Sequence, residues 1–225
     1  MNKYVAVIPA RGGSKRFPGK NIYLFNGKPL ITYSIEYAQK CGAVSHVYVS
    51  TESFDIKKIA GEYGAEILER PEELAGDYVT TAAVLQQIAG VLKANGASFD
   101  YLVLLQPTNP LRPKYLLTEA IEIMETGRYD SLMCVSRSDK KLGKIADDKF
   151  IPWNYEYGQR SQDMEPLYYE NGLLYISSGE LLQEGKIIGE RMYPLITDHV
   201  FGKIDIDTKE DLLYAEYILK HYKYE

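Results

Sequence analysis

Four cationic side chains, Arg11, Lys15, Arg16 and Lys20, stand among glycines in the run Arg11-Gly-Gly-Ser-Lys-Arg-Phe-Pro-Gly-Lys-Asn21, directly after the apolar segment Tyr4-Val5-Ala6-Val7-Ile8. Glycines expose backbone N–H groups to an anion without a steric penalty. Clustered Lys and Arg add charge-assisted hydrogen bonds, and the β/γ-phosphates of a nucleotide carry enough charge to engage several at once. At the carboxyl end of a first strand, these residue types suit a triphosphate. A solvated basic loop has the same composition, since Pro18-Gly19 is an ordinary turn pair. The order of residues is neither GxxxxGK[ST] nor GxGxxG, so a Walker loop and a dinucleotide turn are excluded.

A second constellation lies near the other end, in Ile204-Asp205-Ile206-Asp207. The two-residue period of an extended segment sends both carboxylates to one side and both isoleucines to the core. With no cation next to them in sequence, paired carboxylates favour a hard divalent ion. Magnesium takes oxygen ligands and is usually shared with substrate phosphates, so it would sit between this pair and the cationic loop. The competing role is helix capping, because Thr208 followed by Asp211 resembles a shortened capping box.

Hydrophobic periodicity supplies the elements that would position these groups. Strands are expected at 4–8, 44–50, 66–68, 101–105 and 131–135, and helices at 29–41, 53–63, 77–94, 113–126 and 208–221. Alternation of short apolar runs with amphipathic segments is the pattern of a mostly parallel sheet covered on both faces, hence an α/β fold. Gln106-Pro107-Thr108-Asn109-Pro110 cannot continue a regular strand and ends the central one. After Arg137 charged and aromatic residues crowd the chain, and β-like pieces at 144–151 and 173–176 suggest an antiparallel arm. Trp153, Tyr155 and Tyr157 in that arm would serve a subunit interface in preference to a sugar platform.

A chain of 225 residues is the size of one α/β domain with an elaboration. Its net charge of −5 argues against an extended nucleic-acid footprint, so any anion site is local. Cys41 and Cys134 lack ligand spacing and read as thiols. No run approaches the ~20 apolar residues of a spanning helix, and the N-terminal apolar run is short for a signal peptide, so a cytoplasmic protein with no membrane partner is expected. His46, His199 and His221 form no metal constellation.

Taken together, Ile8 to Asn21, Leu104-Leu-Gln-Pro-Thr-Asn-Pro-Leu-Arg112, Arg160-Ser-Gln-Asp163, Glu170-Asn-Gly172 and Ile204 to Thr208 resemble the signature segments of the acylneuraminate cytidylyltransferases. The resemblance runs from residue 3 to about 220. It implies a Rossmann-like fold in which residues 1–225 form a single nucleotidyltransferase domain and 138–177 an inserted arm that packs on a second copy, making a homodimer. It implies that Arg11, Ser14, Lys15, Lys20 and Asn21 handle CTP, with Arg70, Thr80 and Thr81 beside the base or ribose. Gln106, Asn171 and Tyr175 would hold the acidic nonulosonate sugar, and Asp205 and Asp207 magnesium. Lys15 and Lys20 would act by electrostatic stabilisation, and Asp207 as a possible base.

The implied reaction is attack by the anomeric hydroxyl of a nine-carbon sugar acid on the α-phosphorus of CTP, with loss of pyrophosphate. This chain departs from many relatives at Asn109 and at Tyr168-Tyr169-Glu170, near the expected acceptor, which leaves N-acetylneuraminate, legionaminate and pseudaminate open. Arg160 is a candidate cation for the sugar carboxylate. Competing readings are a related enzyme for 3-deoxy-manno-octulosonate or another nucleotide, and a non-catalytic nucleotide-sugar sensor, against which the Asp pair argues.

Overall fold

A computed structural model describes residues 2–222. The apolar run after Lys3 becomes β1, Tyr4–Pro9, whose first five residues are buried. Continuous burial on both faces is what a central parallel strand needs. It pairs in parallel with β4, Val44–Thr51, and β6, Tyr101–Leu104, and β4 pairs with the edge strand β5, Glu66–Glu69. Between β1 and β4 lie a two-residue ladder, β2 Leu24–Phe25 with β3 Lys28–Pro29, and the helix α1, Leu30–Gln39. The remaining helices are α2, Phe54–Glu62; α3, Thr81–Ala94; α4, Leu116–Glu125; α5, Gly179–Gln183; and α6, Lys209–His221.

β7, Ser131–Ser138, is followed by a hairpin of β8, Gly143–Ala146, and β9, Lys149–Pro152, then by β10, Leu167–Ser178, and β11, Met192–Ile196. The main sheet has seven strands in the order β11-β7-β10-β6-β1-β4-β5. Only β10 runs against its neighbours, antiparallel to both β6 and β7. One core, under α1, α2, α4 and α6, gathers Ile8, Ile35, Leu117 and Leu212; the other, under α3 and α5, gathers Val7, Leu85, Ile88 and Leu182. The mostly parallel sheet with helices on both faces is the architecture that the periodicity predicts.

Three local differences have physical causes. α3 starts at Thr81 and not at Asp77, because Val79 N–H closes a turn on the Gly76 carbonyl and Thr80, in extended conformation, caps the helix by accepting from Ala83 N–H. The piece 144–151 is two strands, because Asp147 and Asp148 both take positive φ, 49° and 57°, and reverse the chain in a tight turn. The piece 173–176, expected in the arm, lies inside the main sheet: Ile176 pairs with Val103 on one side and Leu132 on the other. The antiparallel projection is therefore the short hairpin, joined by the irregular stretch that leads back to β10.

The chain passes from β1 outward to β4 and β5, then returns to the other side of β1 as β6. Beyond the carboxyl ends of β1 and β6 the connections diverge, which opens the crevice where such sheets bind ligands. The cationic loop follows β1 and the Gln106–Pro110 stretch follows β6.

Candidate active site

The cationic loop is anchored at its middle by Phe17, 2% exposed and tilted against Tyr23 with ring centroids 4.9 Å apart. Gly19, at φ +69°, turns the chain into a short 3-10 helix, Lys20–Ile22, and delivers Lys20 and Asn21 to buried positions. Asn21 Nδ2 donates to the Arg11 carbonyl at 2.9 Å and closes the loop on itself. Two of the backbone N–H groups expected to face phosphate are already engaged. Gly12 N–H donates to Glu52 Oε1 at 2.6 Å and Ser14 N–H to the Gly12 carbonyl at 3.1 Å. The absence of a Cβ at Gly12 serves close packing instead, since a Cβ there would lie 3.0 Å from that of Ser53.

The loop forms one wall of a cavity of about 510 Å³ in which Arg11, Ser14, Lys15, Arg16, Lys20, Asn21, Arg70, Thr81, Gln106 and Asp207 meet. Residues as far apart as 11 and 207 thus converge. Arg70 is 5% exposed and fixed by Nη2 donating to the Ser50 carbonyl at 2.9 Å. Burial lowers its pKa, the nearby Arg11 charge adds to the fall, and Glu52 opposes it. Thr80 is outside the lining, with its hydroxyl committed to the α3 cap.

A second cavity, of about 930 Å³, adjoins the first at Gln106, which lines both. Asn109, Asn171, Tyr175 and Asp205 line it, together with three basic residues from separate segments, Arg137, Lys140 and Lys203. Its floor is an irregularity in β10, where the pairing with β7 shifts between Glu170 and Tyr175. Gly172 permits the shift with φ +73°, and a Cβ there would come 2.7 Å from Asn109 Oδ1. Asn109, 1% exposed, donates through Nδ2 to the Asn171 carbonyl at 3.2 Å and the Ile204 carbonyl at 2.6 Å, so it ties β10 to the aspartate segment. Asn171 Nδ2 donates to Ser136 Oγ at 3.0 Å, and Tyr175 donates its hydroxyl to Glu170 Oε2 at 3.1 Å. Burial, with the Glu170 charge, raises the Tyr175 pKa far above that of a free phenol, so the hydroxyl remains a donor.

Segment 204–207 alternates as expected, with Ile204 and Ile206 buried and Asp205 and Asp207 turned outward. Its backbone is pinned by Ile206 N–H on the Thr108 carbonyl at 2.8 Å. The sequence premise that these carboxylates lack a cation is corrected by the fold. Asp207 Oδ1 lies 2.7 Å from Lys20 Nζ and Oδ2 lies 2.5 Å from Arg16 Nη2. Burial pushes the Asp205 carboxyl above the ordinary carboxylate range; a Thr108 hydrogen bond pulls it partly back and the Asp207 charge adds to the rise. Among the described residues no group of three or more His, Cys, Asp or Glu forms a ready cage. Two carboxylates beside a cationic phosphate wall nevertheless suit magnesium, which is typically held by one or two carboxylates and completed by substrate phosphates and water.

Arg160 stands apart. Its guanidinium makes a two-pronged pair with Asp163, at 2.7 and 3.1 Å, and lines neither cavity. Among the described residues the cations that line the second cavity are Arg137, Lys140 and Lys203, none singled out by sequence reasoning. They come from the end of β7, the start of the projection and the turn before Ile204, and no motif joins them. Asp77 was also missed: Arg11 Nη1 lies 2.8 Å from its Oδ1, and Lys15 Nζ contacts its Oδ2.

A family model described as "Cytidylyltransferase" matches residues 5–219. The chain is 34% identical to the CMP-N,N'-diacetyllegionaminic acid synthase of Legionella pneumophila, covering 97% of both chains. It is 31% identical to the pseudaminic acid cytidylyltransferase of Campylobacter jejuni, again over 97% of each. It is also 32% identical to the N-acylneuraminate cytidylyltransferase of Streptococcus agalactiae, over 95% of this chain but 52% of that protein, so the chain spans about half the length of that relative. In fold it matches a CMP:2-keto-3-deoxy-manno-octonic acid synthetase solved with CTP, with a TM-score of 0.72 at 16% identity over 98% of this chain and 100% of that one. With a match along nearly its whole length and relatives above 30% identity, the chain belongs to the cytidylyltransferase family.

Proposed function

We propose that this chain is a CTP-dependent cytidylyltransferase that transfers CMP to the anomeric hydroxyl of an acidic nine-carbon sugar and releases pyrophosphate. The observation that carries the reading is the pair of adjoining cavities: Asp207 lines the cationic one, Asp205 the other, and Gln106 both. A nucleotide with its polyphosphate on Arg11, Lys15, Arg16 and Lys20 would present its α-phosphorus toward that junction. Arg70, Asn21 and Thr81, which line the same cavity, would serve the nucleoside end, and Arg137, Lys140 and Lys203, which line the other, the acceptor's carboxylate.

Asp205 and Asp207 would hold magnesium, which supplies charge neutralisation on the reacting phosphates when bound. Lys15 and Lys20 oppose the charge that builds on the leaving pyrophosphate, a fixed electrostatic contribution in a partly enclosed site. Asp207, expected as the base, has both oxygens on Arg16 and Lys20, which disfavours it as the acceptor of the hydroxyl proton. Free thiols at Cys41 and Cys134 and the use of CTP support a cytoplasmic setting.

The test is pyrophosphate release with CTP and magnesium against N-acetylneuraminate, the legionaminate and pseudaminate acids and 3-deoxy-manno-octulosonate, with ATP, GTP and UTP in parallel. Release restricted to CTP and a nine-carbon acid is expected. Preference for the eight-carbon acid would move the assignment to that enzyme class, and CTP binding without release to any acceptor would favour a sensor.

A further inference from the structure

Four cations of the nucleotide cavity, Arg11, Lys15, Arg16 and Lys20, are already paired inside the chain, with two carboxylates of different standing. Asp207 belongs to the pinned segment after Ile204 and is an expected magnesium ligand. Asp77 has no such assignment. It lies on the loop between Leu74 and α3, whose backbone is held by turn bonds such as Ala75 N–H to the Glu72 carbonyl at 3.0 Å and Val79 N–H to Gly76 at 3.3 Å, and by Arg11 Nη1 donating to the Ala75 carbonyl at 3.4 Å. Its neighbour Tyr78 is 99% exposed at the mouth of the same cavity. Asp77 is not the cap of α3, which Thr80 provides, so helix formation does not explain its carboxylate.

The carboxylate places one oxygen on the Arg11 guanidinium and the other on the Lys15 ammonium. Two oxygens bridging two cations is the arrangement that a phosphoryl group would make on the same pair. We propose that Asp77 is a built-in competitor for the nucleotide's outer phosphates, holding Arg11 and Lys15 in position until a polyphosphate displaces it. A tethered anion is present at high effective concentration, so a weak monophosphate competes poorly. A triphosphate or pyrophosphate, which reaches Lys20 and Arg16 as well, competes well. After the reaction, recapture of Arg11 and Lys15 by Asp77 would hasten departure of pyrophosphate.

The inference rests on the nucleotide reading of this cavity, and magnesium-free titration calorimetry tests the two apart. The probes are pyrophosphate, inorganic phosphate and CTP, added to the wild-type chain, Asp77→Asn and Asp77→Glu. Loss of two exposed ion pairs is expected to tighten pyrophosphate binding in Asp77→Asn on the order of 3- to 10-fold, to narrow the preference for pyrophosphate over phosphate and, in the separate magnesium-containing turnover assay, to lower kcat together with the KM for CTP. Asp77→Glu, which keeps the charge, is expected to stay close to wild type. Unchanged or weaker pyrophosphate binding in Asp77→Asn, with wild-type binding intact, overturns the inference alone. Failure of the wild-type chain to bind either CTP or pyrophosphate overturns the nucleotide reading and this inference together.

Discussion

Lys20 is 8% exposed, yet its ammonium is kept charged-side outward on Asp207 at 2.7 Å, a placement that a merely solvated basic loop would not need. Removing one preorganised charge from an active site commonly costs about 3–4 kcal/mol in the transition state. Lys20→Ala is therefore expected to fold, as read by circular dichroism, and to lose roughly 100-fold or more in kcat/KM for CTP; near-normal turnover would remove Lys20 from the machinery. At this scale the sequence was informative where the chemistry is contiguous. Arg11 to Asn21 and Asp205 to Asp207 could be found because neighbours in sequence remain neighbours in the site. Asp77, Arg137, Lys140 and Lys203 escaped because each is an ordinary surface charge until the sheet brings its segment to the crevice. Arg160 is a different case: its motif suggests a ligand role, and within one chain its fork is filled by Asp163.

The start of α6 shows how an element serves the site. Thr208 Oγ1 accepts from Asp211 N–H at 3.3 Å while Asp211 Oδ2 accepts from Thr208 N–H at 2.8 Å and from Asp207 N–H at 3.0 Å, so the capping box also fixes the backbone of the aspartate segment. Partial burial tends to raise the Asp211 pKa, but the Thr208 hydroxyl and the two backbone donors outweigh it and the net shift is downward. A carboxyl depressed on folding contributes stability that is present above its unfolded pKa and is lost as pH falls through the folded value. Asp211→Asn should thus lower the unfolding free energy by about 0.5–1 kcal/mol at pH 7, and the gap from wild type should close on acidification through that depressed range. Denaturant titrations at neutral and acidic pH check it; a gap independent of pH would show that the charge is not what the box uses. This box was readable from Thr208 and Asp211 alone because it is local. The hairpin turn was readable in principle too, since two adjacent aspartates between β-like residues suit paired positive φ angles. The burial of 173–176 was not, because four apolar residues read alike in an arm and in a sheet.

At the scale of the whole molecule, the hairpin leaves Ile145 81% exposed and Trp153 63% exposed, with Phe150 and Ile151 also uncovered. Apolar groups displayed on a projection suit a second copy of the chain, and the resemblance implies that the partner's projection would then help close the acceptor site. The homodimer is our proposal on that basis, and the variant Ile145→Asp/Trp153→Asp should sediment as a monomer, keep CTP binding and lose acceptor-dependent turnover. A wild-type chain that is already monomeric at assay concentration would dispose of the idea. The fold class followed from the periodicity of the first half, whereas the strand order did not, since β10 enters the sheet from late in the chain. That late entry governs the order of events during translation. β5, β4, β1 and β6 can assemble on the ribosome as soon as they emerge, but β6 and β7 have nothing between them until residues 167–178 follow. A nascent chain would thus own most of its cationic wall before its second cavity is closed, with the Tyr101–Leu104 edge bare in the interval and open to mispairing.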